Sequence, residues 1–192
     1  MSPVANHWWP LVFCALTLSA CDKSREPPAP AQAPCPEVSV GTPVDPMLVA
    51  FLGRARAAHH AADIREQRGD LEGAIRVLSE LLAPAKVPQR AEAREVLADT
   101  RARLADYKSQ LGRFADAALD VQAGMQLAQE PTYFRGHLFE VQGLVAERQA
   151  KQLKADGNQQ AAQQAEARAL DAFEKAMQVQ EQVIDQALPD TQ

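Results

Sequence analysis

The chain has 192 residues, 23% of them charged and 46% hydrophobic, but only 5% aromatic, and 36 are alanine. Alanine is the best helix former and a poor strand former, so the composition argues against a sandwich, a barrel or a parallel sheet. A net charge of −5 argues against a general nucleic-acid binder, which carries a basic balance.

Residues 1–20 contain no Asp, Glu, Lys or Arg, and Leu11 to Leu18 form an apolar run of eight. That run is far shorter than the roughly 20 residues needed to span a bilayer, and it suits the core of a secretory signal. The segment closes on Leu18-Ser19-Ala20-Cys21. From Asp22 to Asp45 the chain carries six of its thirteen prolines: Pro27, Pro28, Pro30, Pro34, Pro36 and Pro43. Such a stretch cannot bury a core, and it reads as a tether reaching about 27 Å as a coil and about 75 Å as extended polyproline II. Cys35 in this tether has no sequence partner and reads as an incidental thiol.

Asp45-Pro46 supplies a cap residue followed by proline at the first helical position. Leu48, Phe51, Leu52, Ala55, Ala58 and Ala62 then recur at helical spacing, up to Gly69-Asp70. Leu71, Ala74, Ile75, Leu78, Leu81 and Leu82 give a second stripe, ended by Pro84 and Pro88. Ala93, Val96, Leu97, Thr100, Leu104, Tyr107 and Leu111 predict a long third helix, stopped at Gly112. Phe114, Ala117, Ala118, Val121, Met125 and Ala128 predict a fourth, ended by Pro131-Thr132. Phe134, Leu138, Val141 and Val145 lead to Gly157-Asn158, and Ala162, Ala165, Ala169, Phe173, Ala176, Val183, Ile184 and Ala187 mark a last helix near Pro189. The expected fold is all-α, built of antiparallel helix hairpins over residues 46–188, with a 189–192 tail.

The three turn glycines are 43 and 45 residues apart. Seven residues before them stand Ala62, Ala105 and Ala150, and five after them stand Ala74, Ala117 and Ala162, so the two helices of each pair can approach closely. No chemistry-bearing motif accompanies them: there is no Gly-x-Ser-x-Gly elbow, phosphate-binding glycine loop or His-Glu-x-x-His. His59 and His60 are adjacent on a helix and point about 100° apart, so they do not chelate one ion. His137 has no neighbouring ligand in sequence. Asp63 with Gln67 and Arg68, Glu147 with Lys151, and Asp171 with Lys175 read as solvated helix faces with i,i+4 support. The expectation is a non-enzyme without cofactor or metal.

Two resemblances add to this reading. Leu18-Ser19-Ala20-Cys21 resembles the lipobox of bacterial lipoproteins at every position, which implies cleavage before Cys21, acylation of Cys21 and residence in the cell envelope, facing the periplasm or the exterior. Asp22 resembles the inner-membrane retention signal of enteric lipoproteins, while other bacteria read that position differently, so either membrane stays open. The motif Ala-x₆-Gly-x₄-Ala, three times over, resembles the tetratricopeptide repeat, with a period near 44 residues instead of the usual 34 or so. Leu78 and Val121 fit the family's bulky position after the turn; Glu166 does not. The resemblance implies about three repeats with long helices and a concave groove lined by the first helix of each pair. Its offsets select Arg56, His59, Asp63 and Glu66, then Asp99, Ala102, Asp106 and Ser109, then Leu144, Glu147, Lys151 and Lys154. Arg56, His59, Asp63, Asp106, Glu147, Lys151 and Lys154 are the candidate partner-binding residues, for an envelope protein or peptide and with no small-molecule substrate. In layout the chain looks like the small tetratricopeptide lipoproteins that assist assembly of envelope complexes. A generic helical bundle that oligomerises through the long helix from about Asn158 to Gln186 is the alternative.

Overall fold

The structure is a computed structural model that describes residues 45–83 and 87–188. Residues 1–44, on which the expected signal, lipobox with Cys21 and tether with Cys35 fall, lie outside the described residues, as do Pro84 and the expected 189–192 tail. Within them every regular element is an α-helix: α1 (Pro46–Gln67), α2 (Leu71–Leu82), α3 (Ala91–Gln110), α4 (Phe114–Leu127), α5 (Tyr133–Ala155) and α6 (Gln159–Ala187).

The helices pair in sequence, α1 with α2, α3 with α4 and α5 with α6, giving three hairpins. Consecutive hairpins join through their first helices, α1 on α3 and α3 on α5, and each second helix also packs under the next hairpin, α2 on α3 and α4 on α5. The backbones of the second helices α2, α4 and α6 do not approach one another, and Glu72 of α2 reaches only as far as Arg113, the residue that caps α4, at 3.4 Å.

The turn inside each hairpin has the same construction. Gly69, Gly112 and Gly157 sit at φ of 75°, 74° and 80°, the left-handed region where a Cβ is strained. Each closes its helix with a pair of backbone bonds. Gly69 N–H donates to Glu66 O and Asp70 N–H to Arg65 O; Gly112 and Arg113 do the same to Ser109 and Lys108, and Gly157 and Asn158 to Lys154 and Leu153. This is the Schellman arrangement, which satisfies carbonyls the helix end leaves open. Asp70 and Asn158 then cap the following helices by accepting from the Gly73 and Ala161 N–H groups at 2.9 and 3.2 Å. Gly112→Ala is expected to cost about 1–2 kcal/mol through left-handed strain alone, read as a lower urea midpoint with an unchanged slope.

The alanines flanking these turns are buried between the paired helices. Ala62, Ala105, Ala150, Ala74, Ala117 and Ala162 are all at most 2% exposed. Leu78 and Val121 are buried above them. One apolar cluster joins α3, α4 and α5 through Ala98, Ala102, Ala117, Val121, Leu138 and Val141. A second joins the first two hairpins through Ala74, Leu78, Leu104 and Tyr107.

Four expected inward positions point out instead, among them Ala118, which stands next to the buried Ala117 and so about 100° off the inner stripe of α4. Ile184 and Ala187 are exposed. Tyr133 begins α5, and its carbonyl already meets the Gln180 side chain at 3.4 Å, so the last turns of α6 run past the end of their partner. Leu111, also expected on the inner stripe, is 40% exposed because it caps α3 at the turn.

Candidate functional site

The face built from the first helices carries most of the residues selected by repeat offset. Many of them grip the neighbouring helix. The Asp63 carboxylate on α1 pairs with the Arg103 guanidinium on α3, not with Gln67 or Arg68 on its own helix. Arg103 also donates to Tyr107 Oη at 2.9 Å, and that hydroxyl donates to Glu66 Oε2 at 2.9 Å. One hairpin later the arrangement recurs: Arg148 on α5 donates to Asp106 Oδ1 and Ser109 Oγ on α3, both at 2.6 Å. Asp63 and Asp106 stand six residues before their turn glycines, and Arg103 and Arg148 stand nine before theirs. The repeat therefore carries a rung of charge-assisted bonds between consecutive first helices.

A second junction centres on Asp99. His59 on α1 brings Nδ1 to 3.4 Å from Asp99 Oδ2 and Nε2 to 2.8 Å from Thr100 Oγ1. His137 on α5 places Nε2 3.9 Å from Asp99 Oδ1, donates from Nδ1 to Glu140 Oε2 at 3.1 Å, and stacks on Tyr133. His137 is thus held from two elements, unlike its isolated look in sequence. Burial pulls the His59 pKa below its ordinary 6.5, and nearby Arg103 adds to this while Asp99 opposes both. The unfolded chain therefore takes up the His59 proton first as pH falls, so this histidine withdraws stability once pH drops below about 6.5. Unfolding midpoints are expected to fall from pH 7.5 to pH 5.5, and His59→Gln is expected to flatten that profile.

The remaining selected residues divide. Ala102 and Ser109 are buried, so they do not line an open groove. Glu147 and Lys151 bond to each other at 2.6 Å along α5, and the Lys151 ammonium holds the Glu147 carboxyl below its usual range. Lys154 pairs with Glu166 on α6, which explains a carboxylate at the position where the first two hairpins place Leu78 and Val121. Arg56 is exposed and has no hydrogen bond or ion pair among the described residues. With Gly53, His60 and Asp63 it borders an open depression of about 510 Å³ on α1.

The larger depression, about 650 Å³, lies between α4 and α6 over α5, where the second helices fail to meet. Phe114, Met125, Phe139 and Val145 give it an apolar floor, and Arg135 and Arg168 stand at its edges. The Arg135 guanidinium lies 5.5 Å over the Phe139 ring and donates to the Ala128 carbonyl at 2.8 Å, and Arg168 donates to Gln149 at 3.1 Å. Offset reasoning missed this cleft because it selected first-helix residues only. Its one sequence signal is Phe139, a large apolar residue directly after the core residue Leu138 and so about 100° off the stripe.

Among the described residues no group of three or more His, Cys, Asp or Glu side chains could hold a metal ion, and no helix is long and apolar enough to cross a membrane. No family model matches the chain. Neither the curated proteins nor the solved structures contain a match to it.

Proposed function

We propose that this chain is a lipid-anchored scaffold or adaptor of the bacterial cell envelope, presenting a tetratricopeptide-like stack of hairpins on a proline-rich tether. The observation that carries the reading is the threefold recurrence of one turn construction, with its alanine flanks, in a chain whose N-terminus resembles a lipoprotein signal. Acyl chains on Cys21 supply the anchor, since each buried CH₂ contributes about 0.8 kcal/mol and two or more chains hold stably. Asp22 favours retention at the inner membrane.

The stack binds a protein or peptide of the envelope and supports assembly of a complex there. Arg56, Glu147, Lys151 and Lys154 provide charge on the first-helix face, while His59, Asp63 and Asp106 set the spacing of the helices beneath. The α4–α6 cleft adds an apolar subsite with Arg135 and Arg168 at its edge, suited to a large apolar side chain beside a carboxylate. The chain acts by binding, without catalysis or cofactor.

Affinity capture from envelope extract tests this, using the wild-type chain, a variant with Arg56, Asp106 and Lys151 replaced by alanine, and a Phe139→Ala variant. The expected result is a specific protein retained by the wild type and lost from at least one variant. An unchanged set of captured proteins in both variants sinks the binding surface.

A further inference from the structure

Counting from the turn glycines makes positions in the three hairpins comparable. On α3, the positions that pack onto the first hairpin include Ala93, Val96, Thr100, Arg103 and Tyr107. The same offsets on α1 are Ala50, Gly53, Ala57, His60 and Ile64, and all five are exposed. The other end of the stack repeats the situation. Leu82 and Met125, thirteen residues after their glycines, are half-buried against the clusters that join each hairpin to the next. Leu170 holds that offset on α6 and is 64% exposed, and Met177 and Ile184 extend it as a stripe at 65% and 56%. The stripe lies on the flank of α6 away from Arg168 and Asp171, which border the α4 cleft, since seven-residue steps return to one side of a helix.

Both ends therefore expose surfaces that the interior hairpins cover. Of the ten large apolar residues exposed among the described ones, six lie on α1 or α6: Met47, Val49 and Ile64 on the first, Leu170, Met177 and Ile184 on the last. Repeat arrays normally close their ends with polar faces. Charge differs between the two ends. The α6 stripe is bordered by Glu174, Glu181 and Asp185, whereas the exposed face of α1 carries Arg56 and His60, with Arg68 at its C-cap, and Asp63 beside them is already paired with Arg103. Pairing two α6 stripes would set acid against acid.

We infer that the occupant of the α5–α6 end is α1 of a second copy of this chain, so that copies stack head to tail and continue the hairpin order. At the junction the Asp–Arg rung is lost, because the basic residues Lys151 and His60 hold its two offsets. The His59–Asp99 offsets become Glu147 and Arg56 of the second copy, an opposite-charge pair of reversed sign. The offsets of Asp99 and His137 become Leu144 and Val49, an apolar pair. Such a heterologous contact leaves free ends and grows into a chain of copies or closes into a ring. The inference uses the hairpin geometry alone and does not depend on the anchor or on another partner.

Crosslinking tests it in the full chain carrying Cys14→Ser and Cys35→Ser, with two differently tagged copies expressed together. One copy carries Ile64→Cys, the other Leu170→Cys, and unfractionated cell lysate is treated with a short bismaleimide; the background without added cysteines is the blank. The expected product joins the two tags. Arg56→Glu on one copy is expected to lower its yield several-fold, and Glu147→Arg on the other to restore it. Only Leu170-to-Leu170 product, only uncrosslinked chain, or a yield indifferent to both charge reversals overturns the proposal.

Discussion

Leu138→Ala is expected to be among the most destabilising single changes in the chain, lowering the free energy of unfolding by about 4 kcal/mol, within the range measured for buried leucines. Leu138 is fully buried where α3, α4 and α5 meet. Gly124 forms part of its wall, and the cluster around it is built largely of alanines such as Ala98 and Ala102, side chains already too small to move inward. A Cβ built on Gly124 would lie 2.5 Å from Leu138 Cδ2, so the leucine occupies the space that the glycine leaves. Removing three carbons therefore opens a cavity that this alanine-rich setting cannot refill. In a domain of this size a melting temperature falls by roughly 3 °C per kcal/mol, so a drop of about 12 °C by calorimetry is the expected reading.

The second large effect is at Asp120. Its carboxylate is 2% exposed and is shared by Arg101 Nη1 and Lys108 Nζ, each at 2.5 Å. Both cations come from α3, so one acid on α4 fastens the second hairpin across its whole width. Asp120→Ala leaves two like charges facing a hole. Breaking a buried pair from one side costs about 3–5 kcal/mol; Arg101 and Lys108 keep partial access to water, which favours the lower end, near 3 kcal/mol. The triple replacement Asp120→Leu, Arg101→Met, Lys108→Met is expected to recover most of that loss, since no charge is then stranded. Urea unfolding of the three proteins (wild type, single, triple) measures both steps.

The helical order was legible because its signals are local. Proline after a cap residue started α1 at Pro46, and glycine at the required left-handed positions ended α1, α3 and α5. Alanines seven before and five after each glycine marked positions inside the hairpins, and all six are buried. Local reasoning failed where a long side chain reaches another hairpin. Asp63 sits one turn from Arg68, yet its partner is Arg103, 40 residues on, because the side of α1 that carries Asp63 faces α3. His59 and His137 look unrelated in sequence and meet the same Asp99 carboxylate only once three first helices stand side by side. Ile184 kept the apolar spacing of its helix, but spacing does not tell how far the partner helix extends. The α4–α6 cleft exists because the second helices do not approach one another, a property of how whole hairpins stack and not of any one segment.

The same distinction holds for the residues chosen by repeat offset. Offset counting located real structural positions, and at Asp63 and Asp106 those positions hold the stack together from within. Arg56 at one end and Lys151 at the other are the more open members. Substitutions at the two aspartates are therefore expected to act on stability as well as on binding, and substitution at Arg56 on binding alone.

The reading of this chain as an anchored scaffold turns on Cys21. Mass spectrometry of the chain purified from membranes, compared with fractionation of a Cys21→Ala variant, addresses it most directly. The account predicts a mature chain that begins at Cys21 and carries acyl mass, with the variant no longer processed or acylated there. A membrane-associated chain that retains residues 1–20, or one whose Cys21 is unmodified, would contradict it.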